Sequence, residues 1–190
     1  MTRALHRCQP GGMGFFDDAP RGSSPLPQGG PWDFPRHELP RVAVSALLLA
    51  RTDVVAVIVA AVWAFREGFT FWIKAPFRQA GAGLEEGPDE QALHIGVQFA
   101  DGRKAANAGR LPSSARSVPA GLVLKPHGFG GGPRDWNLSY WVWPLPPAGP
   151  VTFVCEWAAY DIPETRAGID GQLILDAAGH SIQLWPDRRG

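Results

Sequence analysis

Glycine and proline interrupt helices and strands, and in this 190-residue chain they are crowded into a few stretches and nearly absent from others. Residues 1–40 carry 13 of them and residues 109–133 carry 10. Residues 41–75 carry only Gly68, and residues 134–143 and 151–162 carry none. Regular structure must therefore lie in the empty windows, and the crowded ones are connections. Trp63, Trp72, Trp136, Trp141, Trp143 and Trp157 all fall in the empty windows, so the expected elements carry most of the aromatic mass.

Residue type and periodicity in these windows favour strands. Val42–Arg51 and Val54–Phe65 are rich in Val, Ile, Leu and Ala, with Arg51-Thr52-Asp53 at the join. The second is nearly all apolar, as a central strand buried on both faces would be. Arg66-Glu67-Gly68 predicts a turn. Phe69, Phe71, Ile73 and Ala75 then alternate with Thr70, Trp72 and Lys74, the period of a half-buried strand. Leu93, Ile95, Val97 and Phe99 repeat that pattern, and Asp101-Gly102 predicts a two-residue type I′ hairpin turn. Leu122–Leu124 predicts a short strand. Trp136, Leu138, Tyr140 and Val142 share one face of the next strand, with Asn137, Ser139, Trp141 and Trp143 on the other. Val151–Trp157 follows the loop PLPPAGP as the expected antiparallel partner of that strand.

Asp161-Ile162-Pro163-Glu164 has the form of a capping box. Ile169, Leu173 and Ala177 predict the buried stripe of a helix that starts late, near Asp170, because Gly168 and Gly171 weaken its beginning. Ser181–Trp185 predicts a closing strand. The expected fold is mainly β, an antiparallel β-sandwich of about 7–9 strands with one short C-terminal helix. It forms a single domain over residues 39–187. Residues 1–38 are expected to be a disordered or loosely docked N-terminal arm, with Trp32 and Phe34 pinning its end.

Eighteen basic and 18 acidic side chains cancel, which leaves no electrostatic footprint for nucleic acid or an anionic membrane. The apolar stretch Val42–Phe65 is broken by Arg51, Thr52 and Asp53. Its longest run, Val54–Phe65, has 12 residues, against the roughly 20 of a helical span. No membrane span is expected. The first twenty residues hold no apolar signal core. Cys155 shares the parity of Val151, Phe153 and Trp157, as a buried thiol would, and Cys8 lies in the arm. The expected setting is the reducing cytoplasm.

Catalytic patterns were sought and are scarce. There is no GxxxxGK[ST] phosphate loop. Gly128-Phe129-Gly130-Gly131-Gly132 approaches a phosphate or oxyanion loop, but Pro133 takes the third glycine position of GxGxxG, and no GxSxG accompanies it. It predicts a flexible loop. His6, His37, His94, His127 and His180 show no i, i+2 or i, i+4 spacing, so no local metal set exists. No metal and no cofactor are expected. Glu85, Glu86, Asp89 and Glu90 predict a solvated acidic loop, and Glu156 is the one acid inside an apolar strand.

Two candidate sites remain. Trp72, Trp141 and Trp143 lie on faces expected to be less buried, where tryptophans anchor a protein partner or stack on sugars. The competing expectation is that the arm and the helix cover those faces. The second candidate is a pocket beside residues 128–132 that uses His94, Asp101 and His127.

Several longer motifs run through the chain: MGFFDD from Met13, LLLARTD, AFREGFTF, VQFADGRKAAN, PHGFGGGPRDW, YWVWPLPPAGP and FVCEWAAYDIPETR. Together they resemble a group of uncharacterised proteins of GC-rich actinobacteria, over most of residues 13–186. Fifteen arginines against three lysines agree with GC-rich coding. The resemblance implies a source, a cytosolic setting and no particular activity. It also implies that Met13 is the start, with residues 1–12 an upstream extension. The leading expectation is a non-catalytic, soluble β-sandwich acting by protein–protein contact or self-association. A ligand-binding or hydrolytic enzyme with its pocket near residues 128–132, and a carbohydrate-binding module using exposed Trp, are the alternatives.

Overall fold

The breaker-free windows become strands that pair into two antiparallel sheets. The structure is a computed structural model, and it describes residues 6–7, 14–18, 32–79, 93–107, 121–132 and 134–185. In chain order the elements are β1 (His6–Arg7), α1 (Phe15–Asp18), β2 (Glu38–Leu39), β3 (Arg41–Val44), β4 (Leu47–Arg51), β5 (Ala56–Ala64) and β6 (Phe69–Pro76). They continue as β7 (His94–Gln98), β8 (Lys104–Ala106), β9 (Val123–Gly132), β10 (Asp135–Trp143), β11 (Pro150–Trp157), β12 (Ile162–Asp170), α2 (Gln172–Gly179) and β13 (Ile182–Gln183). Among the described residues, nine strands have four or more residues. The others are stubs.

Sheet I has the order β1-β12-β11-β7-β8. Sheet II has the order β3-β5-β6-β10-β9, with β4 also on β5. Alternation decides what lies between them. Val57, Val59, Phe71, Ile73, Leu138 and Tyr140 of sheet II meet Ile95, Val97, Phe153 and Cys155 of sheet I in one buried cluster. The rings of Phe71 and Phe153 stand 5.0 Å apart across the layer. This is the expected β-sandwich. β3 and β4 run along the same edge of β5, interrupted near Ala46, which holds φ 77°. Register shifts on both sides of that break bend the edge, as bulges do. A two-stranded ribbon, β2 with β13, lies next to β3 in sequence. Among the described residues no helix is long and apolar enough to cross a membrane.

Four local expectations are corrected. β11 does not pair with β10; it joins β7 and β12 in sheet I. Both edges of β10 are already taken by β6 and β9, so the loop PLPPAGP carries the chain across to the other sheet. Residues 128–132 are not a loop but the second half of β9, paired from Ser139 opposite Gly128 to Asp135 opposite Gly132. Ladder hydrogen bonds need only backbone, and β9 is an edge strand, where glycine and Pro126 are tolerated.

The β7–β8 connection is not a type I′ turn. Phe99 donates to the Arg103 carbonyl at 2.8 Å and Gly102 donates to the Phe99 carbonyl at 3.0 Å. Only Gly102, at φ 87°, takes the positive φ that type I′ needs at both central residues. The fourth correction concerns the C-terminal helix. Its late start is right, but Ile162–Asp170 is strand β12, and Asp161 sits at φ 56° after a 3-10 turn rather than capping a helix. The buried positions of α2 are Ile174 and Ala178, while Leu173 is 47% exposed. Counting the stripe from Ile169, a strand residue, set the phase wrong. α2 lies against β3 and β5, and Ile174 and Ala178 join the core.

Candidate functional site

Alternation along β6 and β10 places Phe69, Phe71, Ile73, Ala75, Trp136, Leu138, Tyr140 and Val142 inward. Thr70, Trp72, Lys74, Asn137, Ser139, Trp141 and Trp143 therefore form the outer face of sheet II. One end of that face is covered. Trp141 is only 1% exposed, and its Nε1–H donates to the Trp32 carbonyl at 2.8 Å. Phe34 and Phe65 stand edge-on to it, both with ring centres 5.6 Å away. Trp143 is half-buried and edge-on to Trp32 at 6.3 Å. Lys125 holds Asp33 at 3.1 Å. Trp32 and Phe34 thus pin the end of the arm as the sequence suggests, and Trp141 is part of the packing, not of an exposed surface.

The other end of the face is open. Trp72 is half-buried and lies against Trp63, with ring centres 4.2 Å apart. Trp63 is 38% exposed and pairs across β5 and β3 with Val42, which is 61% exposed. Val42, Trp63 and Trp72 make an apolar strip at the sheet edge. Leu39, Ile182, Leu184 and Trp185 of the adjacent ribbon are also exposed. Sequence reasoning missed Trp63 because a nearly all-apolar run looks buried on both faces. Val62 and Ala64 on either side of it are buried, but all three residues are apolar, so the sequence holds no alternation that marks Trp63 as facing out.

The second candidate does not assemble. His94 lies on the outer face of sheet I, with Nδ1 3.2 Å from Glu156 Oε2 and its ring against Phe16. Asp101 is at the tip of the β7–β8 turn, 2.7 Å from Arg103 Nε. Slight burial works against its ionisation, but the Arg103 backbone N–H and then its guanidinium outweigh this and hold the carboxyl below the ordinary value. His127 stacks on Phe34 at 3.9 Å, outside sheet II. That partial burial, and then the charge of Arg36, lower its pKa. His94 and His127 are on opposite outer faces, with the core between them, and residues 128–132 form strand instead of a pocket wall.

Comparisons with protein-family models, curated proteins and solved structures found no match.

An open cleft of about 390 Å³ does exist at the end of sheet II, lined by Arg51, Asp53, Val54, Phe77 and Arg78 among others. Its lining offers neither histidine nor cysteine. Among the described residues no three His, Cys, Asp or Glu side chains group to hold a metal. Cys155 is fully buried, and burial, then the neighbouring Glu156 charge, push its thiol up to about 12. Cys8, Met13 and the acidic residues Glu85, Glu86, Asp89 and Glu90 lie outside the described residues.

Proposed function

We propose that the protein works by protein–protein contact, without catalysis, through the strip Val42–Trp63–Trp72 and the neighbouring ribbon. One observation carries the reading: the arm covers the Trp141 end of the outer face of sheet II and leaves Trp63 exposed and Trp72 half-buried at the other end. Tryptophan brings about 150–250 Å² of contact area and is enriched among the residues that dominate binding energy. A protein fits the strip better than a sugar, because the Trp63 and Trp72 rings are inclined at 58° and offer no flat stacking platform. The cytoplasm is the proposed setting, supported by the buried, unpaired thiol of Cys155.

The test is a Trp63→Ser, Trp72→Ser double variant. Partner capture from the native cell, and the mass in solution by light scattering, are compared with the parent at matched thermal stability. Loss of the captured partner, or a shift to monomer, is expected. Unchanged capture and mass would overturn the proposal.

A further inference from the structure

A second aromatic cluster lies outside sheet I, separate from the main core: Phe15, Phe16, Ala106 and Val154. Its seat is built by the sandwich. At position 96 of β7, a Cβ would come within 2.2 Å of the Phe15 ring, so the absence of a side chain there makes a notch that the ring fills. Two cations flank the ring, Lys104 Nζ at 5.5 Å and Arg166 Cζ at 5.6 Å from its centre, within cation–π range. The Phe15 N–H donates to Glu164 Oε2, whose other carboxylate oxygen lies 2.8 Å from Arg166. Phe16 packs on His94 at 5.3 Å. The Gly14 N–H donates to Asp17 Oδ2 at 2.9 Å, closing the segment on itself. Notch, cations and acceptor come from β7, β8 and β12, and β11 adds the apolar Val154. The visitor is a short turn of chain that contributes nothing to the main core.

We propose that this groove is a receptor for residues Gly14–Asp18 of a second copy, so that two copies can exchange their arms. The groove's shape and charge are matched to that segment, and every copy carries one. The connection to Trp32, residues 19–31, holds seven Gly or Pro in 13 residues and reaches roughly 45 Å when extended. Exchange between copies conserves each contact, so chain concentration and linker geometry set the balance. The docked segment can leave without opening the sandwich, because its contacts form a cluster of their own.

The experiment uses two full-length chains, each with Cys8→Ser and, beside the buried Cys155, one accessible thiol: one carries Phe16→Cys and the other His94→Cys. They are mixed and treated with a short bis-maleimide. A link between positions 16 and 94 can then form only between chains. A chain carrying both substitutions shows that the pair can be linked. The expected result is a heterotypic product that grows with chain concentration and exceeds either homotypic product. It is lost when Gly96→Leu is added to the His94→Cys chain, or when Phe15→Ala is added to the Phe16→Cys chain. The second variant leaves the sandwich itself untouched. Adding Trp63→Ser and Trp72→Ser leaves the product unchanged, which separates this proposal from the strip. Linkage confined to the chain carrying both substitutions, or a heterotypic product no greater than the homotypic ones, would overturn the exchange.

Discussion

The indole of Trp141 ties two parts of the chain that are far apart in sequence. Its N–H is buried and donates to a carbonyl of the arm, so the bond also secures Trp32. Trp141→Phe keeps most of the packing and removes that bond. A loss of about 1–3 kcal/mol is expected, read as a lower urea midpoint with an unchanged slope. Trp72→Phe, at a half-buried position with no such bond, should cost less than about 1 kcal/mol. Cys155 gives a pH signature. Its folded value of about 12 stands above the ordinary 9.0. Below pH 9 both states keep the proton and the stabilisation is whole. Between 9 and 12 the unfolded state alone releases it, so stability falls by about 1.4 kcal/mol per pH unit. The stability difference between the parent and Cys155→Ala should therefore narrow as pH rises through that window, measured by denaturant unfolding.

At the level of elements, α2 offers a direct contrast. Ile174 is fully buried and Leu173 is half exposed. Ile174→Ala should cost about 2–5 kcal/mol and Leu173→Ala within about 0.5 kcal/mol, compared by thermal unfolding. Strand faces were legible from sequence, as on β6 and β10, because a period of two survives any choice of partner. The partner was not legible: β11 follows β10 after a six-residue link and still joins the other sheet. The glycine half of β9 was not legible either, since its ladder is made by backbone and leaves no mark in side-chain pattern. The phase of α2 failed because a strand residue, Ile169, was counted into the helix.

For the molecule as a whole, the sandwich was legible in the distribution of glycine and proline, and the attachment of the arm was legible only at Trp32 and Phe34. Phe15 and Phe16 gave no warning, because their seat is defined by what position 96 lacks. Removing residues 1–18 should leave the sandwich folded, with a loss of about 1–3 kcal/mol once the ordering of the segment is set against the burial of two phenylalanines. Stronger binding of a hydrophobic dye to the truncated protein would mark the uncovered groove. Of the candidate tryptophans, Trp72 is half-buried beside the exposed Trp63. Trp141 and Trp143 went to the arm, and the histidines went to opposite faces.

The two ends of the arm also impose an order in time. Phe15 needs Gly96, Val154 and Arg166 for its seat, and Trp32 needs Trp141. A ribosome makes Phe15 81 residues before Gly96 and 151 before Arg166, and Trp32 109 residues before Trp141. The aromatic residues of the arm must therefore wait, uncovered, until β12 has emerged. Folding of this molecule closes from its C-terminal half back onto its beginning, and a nascent chain stalled before β12 would present Phe15 and Phe16 to chaperones rather than to itself.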